Sequence, residues 1–362
     1  MKYVFGPVPS RRLGQSLGID PIPLKTCNWN CVYCQLGRTM PLTNERREYV
    51  LDENILFEAE QFLGSRANGG IDWVTLVGSG EPTLHSYLGE IIRRVRNLTA
   101  LPVAVITNGS LLYLPEVRQE LSVVDAVLPT LDAGRAELYR KINRPHPDIT
   151  FERLVDGLVA FRREYRGKLW VEVMLVRGLN DTSQALAEIA RILEKVRPDA
   201  VHVNLPMRPP AETWVQPPDE EGLMRAISIL GSIAEVVHPA EGTFDLSGYE
   251  NVVDAVVGII TRHPMRQDEL ERALSRWEPG AVSQALAALH ESGKAKTVAR
   301  YARLFWTAAP SHFPAEGSSE RTNPDARGRS AASSNHRTRQ QARDHFAAAE
   351  PKHRDRDHLA EA

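Results

Sequence analysis

All three cysteines of this 362-residue chain lie in one short loop, Cys27-Asn28-Trp29-Asn30-Cys31-Val32-Tyr33-Cys34. Their spacing is C-x3-C-x2-C. Three thiolates this close in sequence can hold three corners of a cubane [4Fe-4S] cluster. Because the chain has no fourth cysteine, one iron of such a cluster would lack a protein sulfur and could bind a small molecule. The C-x2-C-x2-C runs of ferredoxins differ, since their full thiolate ligation suits electron transfer.

A zinc site and ordinary buried thiols are alternative interpretations of the same cysteines. Structural zinc takes four ligands, usually from two paired knuckles, and the sequence has no second cysteine knuckle. A histidine could still serve as the fourth ligand, so zinc stays open at this point. An odd number of cysteines in one loop is a poor disulfide framework and a good metal loop.

A second motif follows a short apolar run at 72–77, which is typical of a buried parallel strand. It reads Gly78-Ser79-Gly80-Glu81-Pro82-Thr83-Leu84-His85. Glycines leave backbone carbonyls accessible, and carbonyls are the acceptors that a cationic amino group needs. Glu81 either adds a negative charge or fixes the turn. Taken alone, the motif is also typical of a plain strand-to-helix connection.

Together the two motifs resemble those of the radical S-adenosylmethionine (SAM) superfamily. The resemblance implies that Cys27, Cys31 and Cys34 bind a [4Fe-4S] cluster whose open iron chelates the amino and carboxylate groups of SAM. Tyr33 matches the aromatic position near the adenine. The G-S-G-E-P-T segment matches the Gly-Gly-Glu motif that follows the second barrel strand, so Gly78, Ser79, Gly80 and Glu81 are candidate SAM ligands.

Apolar strand patterns alternate with amphipathic helical patterns through the first two thirds of the chain. The predicted strands lie within 8–20, 72–77, 103–106, 126–128, 169–176 and 200–205. Six strands that alternate with helices predict parallel βαβ units, and right-handed crossovers would curl them into a barrel. The resemblance implies an α/β fold with a partial (β/α)6 radical SAM barrel over residues 1–238.

Polar residues near the carboxyl ends of these strands are further candidates, because ligands of such barrels collect there. Asn108 and Asp132 follow the third and fourth strands, where they could bind a ribose or a substrate or could instead cap helices. Glu172 lies within the fifth strand, and a carboxylate there is costly to bury without a partner. It either faces the barrel lumen near SAM, which we favour, or pairs with an arginine.

Three arginines are candidates of a different kind. Arg11 and Arg12 lie in a glycine-containing segment before the cysteine loop, where they are either solvated or face SAM or an anionic substrate. Arg208 follows the sixth strand and is stiffened by the two prolines after it. It suits a carboxylate or phosphate clamp, and we place it among the cofactor-binding residues. The alternative is a rigid lid connection without ligand contact.

A second domain is predicted at 249–308. Three helical patterns followed by two strand-like runs resemble a winged helix. The third helical pattern, 279–292, carries no arginine or lysine, which a DNA-reading helix normally presents to base edges. We therefore favour substrate positioning or partner docking over nucleic-acid binding. Residues 309–362 are poor in large apolar side chains, so we predict a disordered tail.

The composition limits the partners and the compartment. A net charge of −2 and a pI near 6.6 give no general attraction to nucleic acid. No apolar run is long enough for a membrane span, and the first residues do not form a signal peptide. We expect a cytoplasmic protein, where reducing conditions keep the three thiols free.

The resemblance also implies a reaction. An external electron donor such as ferredoxin or flavodoxin reduces the cluster, and SAM is cleaved to methionine and a 5′-deoxyadenosyl radical that abstracts hydrogen from an unknown substrate. Within the superfamily, the layout is most similar to Fe-S oxidoreductases grouped with the wyosine-base synthases of tRNA. The absence of further cysteines for an auxiliary cluster argues against that particular activity.

A non-enzymatic alternative fits the same features. The chain could be a SAM- or cluster-sensing regulator whose winged helix binds DNA or a protein partner. Turnover separates the two hypotheses, because only the enzyme releases 5′-deoxyadenosine.

Overall fold

The computed structural model describes residues 2–64, 70–237, 249–311 and 313. One large sheet contains eight strands: β1 (Val4–Ser10), β2 (Gly14–Ile19), β3 (Trp73–Leu76), β4 (Val103–Ile106), β5 (Ala126–Leu128), β6 (Lys168–Met174), β7 (Ala200–Asn204) and β8 (Ala234–Val236). The helices around it are α1 (Asp52–Gly64), α2 (Leu88–Leu98), α3 (Pro115–Leu121), α4 (Ala136–Ile142), α5 (Phe151–Glu164), α6 (Ser183–Val196) and α7 (Glu220–Leu230).

The strands of this sheet follow one another in chain order from β1 to β8. β1 and β2 are antiparallel, and every later neighbour pair is parallel. Helices connect the parallel strands, so the carboxyl ends of β2 to β7 lie at the same edge. The predicted α/β class is confirmed, and the mostly parallel sheet is typical of a radical SAM partial barrel.

Two parts of the predicted strand pattern were wrong. The first predicted strand, within 8–20, is a hairpin of β1 and β2, and Gly14 with φ +61° permits its tight turn. The segment 220–237, beyond the six predicted strands, divides into α7 and an eighth strand, β8. Gly231, at φ +88°, ends the helix and reverses the chain into the eighth strand.

Helix α2 shows how the sequence specifies the outer layer. Ile91, Ile92 and Val95 lie on one face and are fully buried against the sheet side of the core. Burying an apolar side chain of this size contributes about 1.5–3 kcal/mol. The opposite face carries Arg93 and Glu90, which pair at 2.7 Å in solvent. This division holds the helix against the sheet and leaves its charges outside.

The turn between β1 and β2 enters the barrel interior. Leu13 is 2% exposed and packs in a small apolar layer with Ala104, Ala126 and Leu128. Alternate side chains of the strands point to opposite faces, so this layer is the inner face of the sheet. The centre of the barrel is thus filled by a residue from the N-terminal hairpin.

A smaller module follows, built from α8 (Val252–Arg262), α9 (Gln267–Ala273), α10 (Ala281–Glu291), β9 (Ala295–Arg300) and β10 (Arg303–Ala308). Its apolar core is separate from that of the large sheet. β9 and β10 form an antiparallel hairpin.

The order of three helices and a hairpin agrees with the prediction for 249–308. The domain division itself stays a prediction, because 238–248 and nearly all of the predicted tail, 309–362, lie outside the described residues. A bilayer-spanning helix is absent from the part of the chain that the structure describes.

Candidate functional site

The cysteine loop follows the carboxyl end of β2 and is folded by its own backbone. The amide of Cys34 donates to the carbonyl of Cys31 at 3.1 Å, and the amide of Gly37 donates to the carbonyl of Cys34 at 3.1 Å. Trp29, 2% exposed, packs edge-on against Tyr139 of α4 with ring centroids 5.3 Å apart. These turns and this apolar anchor leave all three cysteines free and partly buried.

The three thiols face a common space. Burial raises the pKa of Cys27 to about 12, and the nearby charge of Glu81 adds to this. Burial also raises the pKa of Cys31 well above its ordinary value, and the charges of Cys27 and Cys34 act in the same direction. The charge of one thiolate raises the pKa of the next thiol, which indicates that the thiols lie close together. A cation bound between them would lower these pKa values instead.

A cleft of about 290 Å³ opens beside the three thiols. Nine of the twelve site residues predicted from sequence line it. They are Cys27, Cys31, Cys34, Tyr33, Gly78, Gly80, Glu81, Asn108 and Arg208. The structure therefore brings together residues from the cysteine loop, the turn after β3, the loop after β4 and the segment after β7.

The glycine turn after β3 packs tightly against the cysteine loop. A Cβ on Gly80 would lie 1.8 Å from the carbonyl oxygen of Thr26, and one on Gly78 would lie 2.6 Å from Ile22. Backbone hydrogen bonds join the two segments, from Glu81 to Thr26 at 2.9 Å and from Lys25 to Ser79 at 2.7 Å. Glycine is required at position 80 because two main chains meet there.

Glu81 is 1% exposed, and its carboxylate accepts four hydrogen bonds. The donors are the amide and hydroxyl of Thr83 at 3.0 and 2.6 Å, the hydroxyl of Thr107 at 2.6 Å and the amide of Asn108 at 2.6 Å. Burial raises the pKa of Glu81 although these donors act in the opposite direction. Of the two roles considered for Glu81, fixing the turn is the one that its hydrogen bonds support.

Ser79 and Asp132 are turned away from the cleft. The Ser79 hydroxyl donates to Asp20 at 2.6 Å. Asp132, 1% exposed, accepts from the Tyr33 hydroxyl at 2.5 Å, from Asn143 at 2.7 Å and from the amide of Met174 at 2.7 Å. Its carboxylate holds the tyrosine of the cysteine loop in place, and its predicted role toward a ribose or a substrate stays a prediction.

Glu172 also departs from the favoured interpretation. Its carboxylate pairs with Arg12, whose side chain enters from the turn between β1 and β2. The arginine-pair alternative is the one that the structure shows. His202 lies beside Glu172 in the register of β6 and β7. Burial, together with the charge of Arg12, lowers the pKa of His202 to about 4.

Sequence reasoning missed several residues that line the cleft. Gln35, Thr107, Thr130, Met174 and Met207 carry no motif of their own and are placed there only by the fold. Arg11 was a candidate and does line the cleft. Lys25 was missed as well, although its ammonium group contacts the sulfur of Cys34 at 3.2 Å. A lysine two residues before the first cysteine was the available signal.

The family model of the radical SAM superfamily matches residues 22–205. This chain belongs to the radical SAM superfamily. A UPF0026 protein of Methanocaldococcus jannaschii is 36% identical over 281 residues, which cover 76% of this chain and 87% of that protein, so the chain also belongs to the UPF0026 family. As a radical SAM family member it is an enzyme.

Two further matches are more distant. The S-adenosyl-L-methionine-dependent tRNA 4-demethylwyosine synthase of Pyrococcus abyssi is 26% identical over 204 residues, covering 50% of this chain and 57% of the synthase. The structure of TYW1 with a lysine-pyruvate adduct bound is 15% identical, covers 83% of this chain and 81% of the other, and superposes with a TM-score of 0.42.

The residues of this radical SAM protein fit the [4Fe-4S] cluster that the family implies. Each thiol has a nearby donor that would stabilise a thiolate: the amide of Trp29 at 3.4 Å from Cys27, Asn143 at 3.7 Å from Cys31, and Lys25 at 3.2 Å from Cys34. Within the described ranges, no three His, Cys, Asp or Glu side chains converge to hold a single metal ion.

Proposed function

We propose that this chain holds one [4Fe-4S] cluster on Cys27, Cys31 and Cys34 and binds SAM in the adjoining cleft to start a hydrogen-abstraction reaction. One observation supports this most strongly. The three thiols line the same cleft as Gly78 and Gly80, although the two motifs come from different parts of the chain. The cleft therefore unites a cluster-binding loop with a turn that can accept an amino group.

When bound, the cluster and SAM supply a reductive cleavage to methionine and a 5′-deoxyadenosyl radical, which takes a hydrogen atom from the substrate. The protein's own residues orient the components. Asp132 and Asn143 hold the hydroxyl group of Tyr33, which is itself part of the cysteine loop. Asn108 lines the cleft and donates to the side-chain oxygen of Asn28 at 2.8 Å, which joins the loop after β4 to the cysteine loop.

Much of the remaining wall is apolar. Val77, Ile106, Met174 and Leu205 line the cleft with apolar surface. An apolar wall strengthens the electrostatic interactions within the cleft and limits side reactions with solvent. The electron itself must come from outside the chain, and a ferredoxin or flavodoxin is the class of donor that we propose.

The small module is proposed to act as a winged-helix-like substrate or partner platform. Its helix α8 ends beside the cleft, where Gln35 donates to the carbonyl of Arg262 at 2.9 Å and Arg208 contacts His263 at 3.0 Å. The exposed side chains of α10 include Gln284, but this helix carries no arginine or lysine. These contacts favour a role at the cleft over the reading of DNA.

The test is anaerobic reconstitution followed by addition of SAM and dithionite. We expect about four irons per chain and release of 5′-deoxyadenosine, both lost in Cys27→Ala, Cys31→Ala and Cys34→Ala. Zinc without iron in anaerobically prepared protein would support the zinc alternative. A cluster that binds SAM without cleaving it, combined with sequence-selective DNA binding, would support the regulator and overturn the enzymatic proposal.

A further inference from the structure

Two arginines line the cleft without an anionic partner. Nη1 of Arg208 contacts the side-chain oxygen of Gln35 at 3.1 Å and Nδ1 of His263 at 3.0 Å, and both partners are neutral. Arg11 lines the same cleft. Neither guanidinium forms an ion pair with any residue in the part of the chain that the structure describes. Partly buried arginines without a carboxylate are uncommon, because an uncompensated charge is costly to desolvate.

The neighbouring arginines already have carboxylate partners. Arg12 pairs with Glu172, and Arg262 pairs with Asp20 at 2.9 Å. Glu269, whose charge acts on Arg208, is itself 3.1 Å from Arg266. The nearby carboxylates are therefore engaged elsewhere, and the positive charge that remains belongs to the two arginines that face the cleft.

The two guanidinium groups destabilise each other. Burial lowers the pKa of Arg208 to about 10, and the charge of Arg11 adds to this. Burial likewise lowers the pKa of Arg11. His263 offers no compensation, since burial and the charges of Arg208, Arg262 and Arg11 keep its pKa well below the usual value. An anion between the arginines would offset this repulsion through charge-assisted hydrogen bonds.

Arg11 and the cysteines come from opposite ends of β2, although both line the cleft. Arg11 lies in the turn before β2 (Gly14–Ile19), and the cysteine loop follows the other end of that strand. A strand of this length spans about 20 Å at about 3.3 Å per residue. The methionyl group of SAM is expected at the cysteines, so the anchoring of Arg11 suits a group on a second molecule.

We propose that Arg11 and Arg208 form a substrate subsite that binds an anionic group, a phosphate or a carboxylate, in the cleft beside the cysteine loop. This inference rests on the proposed function and deepens it, because it assigns the chemical class of the substrate. Arg208 offers a planar fork for two oxygens, and Arg11 adds the second positive charge that a phosphate dianion would match.

The experiment measures anion binding to the full chain, anaerobically reconstituted and saturated with SAM. Inorganic phosphate and acetate are the two probes, titrated by calorimetry. We expect the wild type to bind at least one of them, and Arg11→Gln and Arg208→Gln to lower that affinity at least tenfold. Tight binding of phosphate assigns a phosphate-bearing substrate, and preference for acetate assigns a carboxylate. Arg272→Gln, on an arginine that is 72% exposed, is the matched control and should bind like the wild type.

Arg208→Lys keeps the charge without the fork and should show intermediate affinity, which guards against a folding defect in the glutamine variants. The inference is overturned if neither probe binds the wild type, or if binding survives in both glutamine variants. It is also overturned if the two variants lose SAM affinity as strongly as anion affinity, since the arginines would then hold the SAM carboxylate. Formation of 5′-deoxyadenosine without anion binding defeats this inference alone, whereas anion binding without SAM cleavage defeats the proposed function alone.

Discussion

The ammonium group of Lys25 lies 3.2 Å from the sulfur of Cys34 and 2.6 Å from the carbonyl oxygen of Gly37. Lys25 adopts φ +63°, an uncommon conformation for a residue with a Cβ. Its amide donates to the carbonyl of Ser79 at 2.7 Å. The residue thus connects the glycine turn to the last cysteine and places a positive charge against one thiol.

We predict that Lys25→Met lowers the reduction potential of the cluster. A cation beside a ligand sulfur stabilises the more negative, reduced form, so its removal favours the oxidised form. The expected decrease is tens of millivolts, where about 59 mV corresponds to a tenfold change for one electron. Redox titration followed by electron paramagnetic resonance measures it. Lys141→Met, on an exposed lysine of α4, should leave the potential unchanged. An unaltered potential in Lys25→Met would contradict the role.

Glu81→Gln should destabilise the fold. The carboxylate accepts from Thr83, Thr107 and Asn108, and an amide would direct an N–H group toward one of these donors. Leaving buried donors unsatisfied costs about 1–3 kcal/mol each. Denaturant unfolding of the cluster-free protein checks this, with Glu53→Gln on the exposed face of α1 as the control. Equal stability of Glu81→Gln and wild type would show that the turn does not depend on the charge.

Arg262→Met should weaken the attachment of α8 to the large sheet. Arg262 donates to Asp20 at 2.9 Å, and Asp20 is 3% exposed and also accepts from Ser79. Removing one partner of a buried pair costs about 3 kcal/mol, because the other charge remains buried. Hydrogen exchange should increase at α8 and around Ser79. The exposed Arg272→Met is the comparison, and equal exchange in both variants would refute the prediction.

We predict that the fold loses stability in acid because His202 is buried in its neutral form. Its pKa of about 4 in the fold lies below the value of about 6.5 expected in the unfolded chain. The unfolded state therefore binds the proton first, so stability that is present above pH 6.5 is lost as the pH falls toward 4. At pH 5 the loss is on the order of 1–2 kcal/mol relative to pH 7, because Glu235, 3.1 Å from Nε2 of His202, stabilises the protonated ring in part.

Denaturant unfolding at pH 7 and pH 5 tests the His202 prediction. His202→Gln should show a smaller difference between the two pH values than the wild type. The control is His290→Gln, which changes an exposed histidine of α10 and should retain the wild-type difference. The same difference in His202→Gln and wild type would assign the acid sensitivity to another group.

Local sequence signals were sufficient wherever the structure depends on local spacing. The cysteine spacing and the glycine turn both predicted residues that line the cleft, and apolar runs located β3, β4, β5 and β7 closely. Partner choice could not be predicted in the same way. Asp132 was a candidate because it follows the end of a strand, and Glu172 because a buried carboxylate needs a partner. Only the fold shows that Tyr33 and Arg12 are their partners.

The hairpin of β1 and β2 could not be predicted from local sequence. The segment 8–20 was predicted as one strand, with Arg11 and Arg12 either solvated or facing SAM or an anionic substrate. The turn is fixed in part by the long-range pairing of Arg12 with Glu172 of β6, which no periodicity within the segment records.

Leu13, at the end of that turn, also completes an apolar layer next to two tryptophan side chains. Two indole rings, Trp73 and Trp170, pack 5.8 Å apart against the inner layer that Leu13 completes. Ile106 belongs both to this layer and to the cleft wall. If the proposed radical forms in the cleft, Ile106 places saturated carbon between it and these two indole rings, whereas Trp29 and Tyr33 line the cleft directly. Leu13→Ala would thin that apolar layer. We expect more oxidation of Trp73 and Trp170 after turnover, measured by peptide mass spectrometry.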